Sequence, residues 1–360
     1  MTRRPTHRRS TRRRAPAAPW HAAAPWHAAA PWLAAAATAS LVLTGCSSRP
    51  GIEIGTAPDS AELRAGVGEA GLRAHLEALQ EAADANGGNR ASGTGGYEAS
   101  AAYVEDRLRG AGYDPVRQGF SHEGRRDRDI ETFNIVADTA GDASRTVVLG
   151  AHLDSVARGP GINDNGSGVA AVLEVAVRLA ASGTVPPNRI RFAFWGGEED
   201  GLYGSEHYVD GLSDEQAEQH LAYLNLDMVG SPNGVVLVYD GDGSDYGGRL
   251  PNGSGEIERV FLDHFSAAGV LAGPTEFDGG SDYQAFLDRD IPSGGLFTGD
   301  EGSKSDPEAA AFGGTPGDKY DSCYHRSCDT LGNVDPEVLE TMADALMHAT
   351  LALGEAGTDD

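Results

Sequence analysis

From Leu72 to Leu353 the hydrophobic positions change period several times. LRAHLEALQEAADA places Leu72, Leu76 and Leu79 on one helical face, and Asn-Gly-Gly ends that run. YEASAAYVEDRLRGAGY predicts a second helix closed by Gly110 and Gly112. Apolar runs of strand length follow at 133–137, 146–152, 190–196, 221–228, 235–240 and 291–297. Helical patterns separate several of them, at 168–182, 256–269 and 282–288. A last helix begins at Asp335-Pro336, a capping residue followed by a proline at the first helical position. Strands that read as continuous apolar runs are buried on both faces. The pattern therefore predicts an α/β fold. We expect a single globular domain over 71–355, with a mixed, largely parallel central β-sheet flanked by helices on both faces. The glycine-rich stretch 240–255 reads as a surface loop rather than a boundary.

The amino terminus follows other rules. MTRRPTHRRSTRRR is a basic leader, followed by an Ala-Pro-Trp repeat and the short apolar segment LAAAATASLVL. Residues 1–45 read as a secretory signal whose apolar part is short for a membrane span. The signal ends in LTGC, which resembles a bacterial lipobox and makes Cys46 the expected lipidated first residue of the mature chain. An ordinary signal with an incidental Cys46 is the alternative. Residues 46–70 read as a flexible tether. The expected location is the outer face of the cell membrane, held by a lipid anchor alone, with release to the medium left open.

Charge and cysteines sharpen this. The formal net charge is −26, and residues 1–45 hold seven arginines and no acid, so the remainder is more acidic still. Nucleic acid is excluded as a partner, because phosphate binding needs a basic footprint. A monomer is expected. There are three cysteines, Cys46, Cys323 and Cys328. If Cys46 is lipidated, Cys323 and Cys328 in CYHRSC remain as a pair for a small disulfide loop outside the cell.

Candidate chemistry gathers where the strands end, which is where open α/β sheets bind ligands. His152 closes one run, with Asp154 two residues on and Asp164 before the next helix. Glu198 and Glu199 follow a second run, Asp227 a third, and His325 lies between the late cysteines. Each alone is ordinary: a strand-end aspartate caps turns, and paired glutamates at a strand exit are solvated. Together, two histidines and three carboxylates suit two divalent ions if one carboxylate bridges them. The adjacent Glu198 and Glu199 are then tolerable as one base and one ligand.

The segments GAHLDSV, GINDNGSG, FWGGEEDGLYGS, LNLDMVGSPN, GGLFTG and CYHRSCDTL resemble, in order and spacing, those of the secreted bacterial di-zinc aminopeptidases of leucyl type. NGGNRASGTGGYEAS near the front extends the resemblance, which covers about Leu72 to Leu353. It implies the zinc exopeptidase fold and two Zn2+ per chain. His152 and Asp227 would bind one ion, Glu199 and His325 the other, with Asp164 as the bridge. Asp154 would orient the histidine two residues earlier, Glu198 would be the general base, and Tyr324 would stabilise the oxyanion. The Asp164–Asn165 peptide would be cis, and Cys323–Cys328 would pin the loop of Tyr324 and His325. The substrates would be peptides with a large apolar first residue, Leu, Phe or Met, received near Met228, Gly279 and Phe297.

The chain departs from close relatives at GGSDY, where Gly280 replaces an arginine, and its 240–255 loop is longer. Calcium, bound by some relatives, has Glu340 and Asp344 available on the last helix but no matching aspartate at the front. Competing readings are a carboxypeptidase or dipeptidase, a glutaminyl cyclase of the same superfamily with one zinc, and a binding module without metal. The complete ligand set argues against the one-zinc and metal-free cases, and CYHRSC against the carboxypeptidases.

Overall fold

The apolar runs after residues 145, 189 and 220 become neighbouring central strands in the computed structural model, which describes residues 51–55, 60–124 and 128–358. The elements run β1 (Ile52–Glu53), α1 (Ala61–Arg64), α2 (Glu69–Ala85), α3 (Gly95–Gly110), β2 (Val116–Gly124), β3 (Arg128–Asp138) and β4 (Asp142–His152). They continue with α4 (Gly166–Ser182), β5 (Asn188–Trp195), α5 (Tyr203–Asp210), α6 (Asp214–Glu218), β6 (His220–Leu226) and β7 (Leu237–Tyr239). The rest are α7 (Ser254–Ala268), β8 (Gly273–Thr275), α8 (Tyr283–Asp288), β9 (Ser293–Phe297), α9 (Asp306–Phe312), α10 (Pro336–Gly354) and β10 (Gly357–Thr358).

Eight strands form one sheet in the order β2-β3-β5-β4-β6-β9-β7-β8. Its centre, β5-β4-β6-β9, is parallel, as the crossover helices require. The pairs β2-β3, β3-β5 and β7-β9 are antiparallel. The mixed, largely parallel sheet expected from the apolar runs is therefore the sheet observed.

Successive side chains on a strand point to opposite faces, so a fully buried strand serves two cores. On β4, Val147, Leu149 and Ala151 join the core under α2, α4, α7 and α10, while Val148 faces α5 and α8. On β5, Ile190, Phe192 and Phe194 go with the first group, and Ala193 and Trp195 with the second. Gly150 is where the second core comes closest. A Cβ there would lie 2.5 Å from Tyr223 Oη and 2.6 Å from Trp195 Nε1, atoms that hydrogen-bond each other. The helix ends follow their sequence signals. Asn165 caps α4 by accepting from the Gly168 N–H, and Asp335 caps α10 by accepting from Glu337 and Val338.

One expectation is corrected. Residues 51–55 and 60–70 belong to the folded body rather than to a tether. Ile52 and Glu53 pair with Thr358 and Gly357, and Arg64 lies 2.8 Å from Asp344 on α10. Small polar residues look like linker locally, but here their partners stand far along the chain, 280 residues away for Arg64 and Asp344. The expected signal over 1–45 and Cys46 lie outside the described residues. Among the described residues no helix is long and apolar enough to cross a membrane.

Candidate active site

The parallel register brings the chemistry to one end of the sheet. His152 is level with Trp195, so β4 and β5 end together. Gly150 pairs with Asn225, which sets Asp227 level with His152 two residues on. The β5 end turns at once, with Gly197 at a φ of 74°. Gly196 leaves no room for a side chain, since a Cβ would sit 2.4 Å from Tyr97 Oη. Glu198 and Glu199 are thereby delivered side by side. Asp164 arrives from the loop before α4 through a cis Asp164–Asn165 peptide. His325 sits at a φ of 56° in the loop closed by the Cys323–Cys328 disulfide.

All five expected ligands converge, in two sets. His152 Nε2 lies 3.3 Å from Asp164 Oδ1 and 3.4 Å from Asp227 Oδ1. His325 Nε2 lies 3.1 Å from Asp164 Oδ2 and 3.0 Å from Glu199 Oε2. The two oxygens of Asp164 thus face different histidines. Glu198 Oε2 stands further back, 3.8 Å from His152 Nε2. Tyr324 stacks on His325 with ring centroids 3.8 Å apart.

Charge tests whether this donor set fits cations. Burial, with Asp227 and Glu199 adding to it against His152, pushes the Glu198 carboxyl well above the usual range. Burial and Asp164 push Glu199 up to about 7. Against the opposing effect of burial, the surrounding carboxylates raise His152 well above an ordinary imidazole and His325 to about 10. Burial, reinforced by Asp164, Glu199 and Asp227, raises the Tyr324 phenol. So many ionisable donors packed together away from water suit a divalent cation, whose binding requires them deprotonated. Two of the cluster's buried oxygens, Asp164 Oδ2 and Glu199 Oε1, accept no hydrogen bond among the described residues. Imidazole and carboxylate donors with one shared carboxylate fit two zinc-type ions.

Asp154 behaves differently from its expected role. Its carboxylate is 3.9 Å from His152 Nδ1, too far for a hydrogen bond. Instead its backbone oxygen lies 3.1 Å from that nitrogen, and its carboxylate accepts the N–H groups of Glu198 and Glu199 at 3.2 and 3.4 Å. The side chain fixes the glutamate turn, and the main chain orients the imidazole.

The three expected pocket positions also reach this end of the sheet. Met228 is buried at a φ of 48°, and its carbonyl accepts from the N–H of Thr298, next to Phe297. Phe297 packs against the second core, which contains Tyr239 and Tyr283, and the Tyr283 hydroxyl accepts the Gly279 N–H at 3.0 Å. Asp344 is held by Arg64 and by His264 Nε2 at 2.9 Å, so a guanidinium already supplies its countercharge.

Four residues next to the site escaped the strand-end reading. Ser281 Oγ donates to Asp227 Oδ2 at 2.6 Å, fixing that carboxylate. Asp282 is buried, with its pKa pushed up to about 7 by burial. Arg90 is fully buried and donates to the carbonyls of Leu153, Pro160 and Gly161. Asp329 grips the backbone leading into Asp164. Each lies inside a quoted segment, GGSDY, NGGNRASG or CYHRSCDTL, and that position was the available signal.

Known proteins similar to this chain include aminopeptidases. An aminopeptidase of Pseudomonas aeruginosa is 50% identical over 236 residues, 65% of this chain and 44% of that protein. The chain thus spans under half the length of that relative. A probable lipoprotein aminopeptidase, LpqL, of Mycobacterium tuberculosis is 50% identical over 212 residues, 57% of this chain and 41% of that protein. The fold matches a zinc aminopeptidase of Bacillus subtilis with a TM-score of 0.65 at 19% identity, covering 79% of this chain and 95% of that one. The sequence model of peptidase family M28 matches residues 134–350, a span that holds every strand end and loop converging on the cluster, and the chain belongs to that family.

Proposed function

We propose that this chain is an exported, lipid-anchored aminopeptidase that removes a large apolar first residue from peptides with two zinc ions. The observation that carries the reading is the double-facing Asp164, whose two oxygens each face a separate histidine, with a further carboxylate beside each histidine. His152 and Asp227 would hold one ion, Glu199 and His325 the other. When bound, zinc supplies Lewis acidity toward water and toward the scissile carbonyl. Glu198 lies further from His152 Nε2 than Asp164 or Asp227 does, and takes the proton of the attacking water, then passes it to the departing amine. Its burial, with a neighbouring carboxylate on either side, suits a group that must hold a proton between those steps. Tyr324 donates its O–H to the oxygen that gains charge, an interaction that strengthens toward the transition state. The carboxylates of Glu198 and Asp227 receive the substrate's ammonium group, which selects the amino end of the chain.

Met228, Gly279 and Phe297 would receive the first side chain. An apolar pocket gains about 0.8 kcal/mol per buried methylene, so leucine should exceed alanine at least tenfold in kcat/KM. Lysyl and glutamyl substrates should be worse, because their charge would be poorly solvated. The lipid anchor at Cys46 is supported by the LTGC segment and by likeness to a probable lipoprotein aminopeptidase. The test is kcat/KM for leucyl, alanyl, lysyl, glutamyl and N-acetyl-leucyl anilides. Rapid turnover of the acetylated substrate would overturn the aminopeptidase reading. A lysyl or glutamyl preference would remove the pocket assignment alone.

A further inference from the structure

Three consecutive amides lead into the double-facing carboxylate, and all three end on one residue. Ile162 N–H donates to the Asp329 carbonyl at 3.2 Å. Asn163 N–H donates to Asp329 Oδ1 at 2.8 Å, and Asp164 N–H to Asp329 Oδ2 at 3.0 Å. Asp329 directly follows Cys328 and is buried. Its own N–H returns to the Arg326 carbonyl at 3.1 Å, inside the loop that carries His325.

A second buried carboxylate closes the other side of that loop. Asp321 accepts the Cys323 N–H at 2.7 Å and the Asn163 side-chain amide at 2.7 Å. Asn333 bridges the two, donating to both oxygens of Asp321 and to Asp329 Oδ1. The two backbones also touch directly, since a Cβ on Gly159 would lie 2.2 Å from the Arg326 carbonyl oxygen.

We infer that Asp329 is a positioning residue that locks the Asp164 backbone to the His325 loop and so fixes the spacing of the two ligand sets. This rests on the two-metal reading above. Each set takes an Asp164 oxygen, and the second also needs His325, which comes from a different segment. Hydrogen bonds between buried backbone N–H groups and a carboxylate are charge-assisted and geometrically strict. Removing such a support characteristically weakens metal affinity 10- to 100-fold. The effect should appear in metal retention rather than in substrate binding, because Asp329 contacts no position proposed for substrate.

The test uses the full chain loaded with zinc, comparing wild type with Asp329→Asn and Asp329→Ala. Asparagine keeps the size but sets an amide against one of the two N–H donors. Zinc release to a chelating dye is followed alongside thermal unfolding, disulfide content, and KM and kcat in excess zinc. The expected result is folded variants with intact disulfides, at least tenfold faster zinc release, and KM within twofold of wild type. Wild-type release rates from a folded Asp329→Asn protein would overturn the inference. So would failure of Asp329→Asn to fold, which would make the residue a support of the fold rather than of the site. A wild type holding fewer than two zinc ions would instead overturn the two-metal reading on which the inference rests.

Discussion

Replacing each of the adjacent glutamates by glutamine should produce two different defects. The turn itself should survive both changes, because Asp154 holds it through the backbone N–H groups of residues 198 and 199, not through their side chains. Glu198 is 11% exposed at its side chain and lies near His152 and Asp227, but at 3.8 Å from the imidazole nitrogen it is further from it than Asp164 or Asp227. Glu198→Gln keeps the shape and removes the proton acceptor. The loss should be that of general acid–base catalysis, about 10²- to 10⁴-fold in kcat. At about 1.36 kcal/mol per factor of ten, this is roughly 2.7–5.4 kcal/mol of barrier. Zinc content should barely change, while KM should rise, because one of the two carboxylates proposed to receive the substrate's ammonium group is lost. Glu199 instead lies 3.0 Å from His325 Nε2 with its second oxygen unpaired. Glu199→Gln should lower occupancy at one ion, and excess zinc should restore part of the rate. Steady-state kinetics and elemental analysis on the same preparations separate the cases. Full zinc content with more than a tenth of wild-type kcat in Glu198→Gln would refute the base assignment, and exchanged phenotypes would reverse the pair.

Three further outcomes are expected. Gly150→Ala should destabilise the fold by about 1–3 kcal/mol, the usual cost of overpacking, because its Cβ would meet Tyr223 Oη and Trp195 Nε1; urea unfolding measures this. His348 lies 3.2 Å from Ser60 Oγ and stacks on His264; burial, helped by His264 and Arg64, lowers its pKa to about 4. Its folded value is below the unfolded one of about 6.5, so its contribution is present above that pH and lost as pH falls toward 4. His348→Gln should flatten the fall in unfolding free energy across that window, and an unchanged slope would count against it. Cys46→Ser should shift the protein from the membrane fraction to the soluble fraction, whereas equal retention would argue against the lipid anchor.

What the sequence made legible was whatever has a local signature. Continuous apolar runs gave the central strands, because burial on both faces removes the polar alternation. Strand ends then gave His152, Glu198, Glu199 and Asp227, since a parallel sheet gathers such residues by topology. The edge strand β2 was not readable. Most of VRQGFSHEG is exposed or half-buried, and only His122 is buried, so no period appears. The pairing of Ile52 with Thr358 was equally hidden, for two residues carry no pattern and their partners are remote. Arg90 and Asp329 show why supports are harder to find than ligands. Each binds backbone groups of a distant segment, and backbone leaves no trace in the sequence. Asp154 was legible as a strand-end residue and the resemblance implied that it orients His152, yet its side chain holds the glutamate turn.

The most direct measurement is a zinc titration of the metal-free chain, with bound metal counted by elemental analysis and leucyl-anilide turnover followed at each addition. Two ligand sets joined through Asp164 predict that turnover approaches its maximum only as the second equivalent binds, with two zinc ions per active chain. Full activity at one equivalent, or in protein that holds no metal, would contradict the two-metal site.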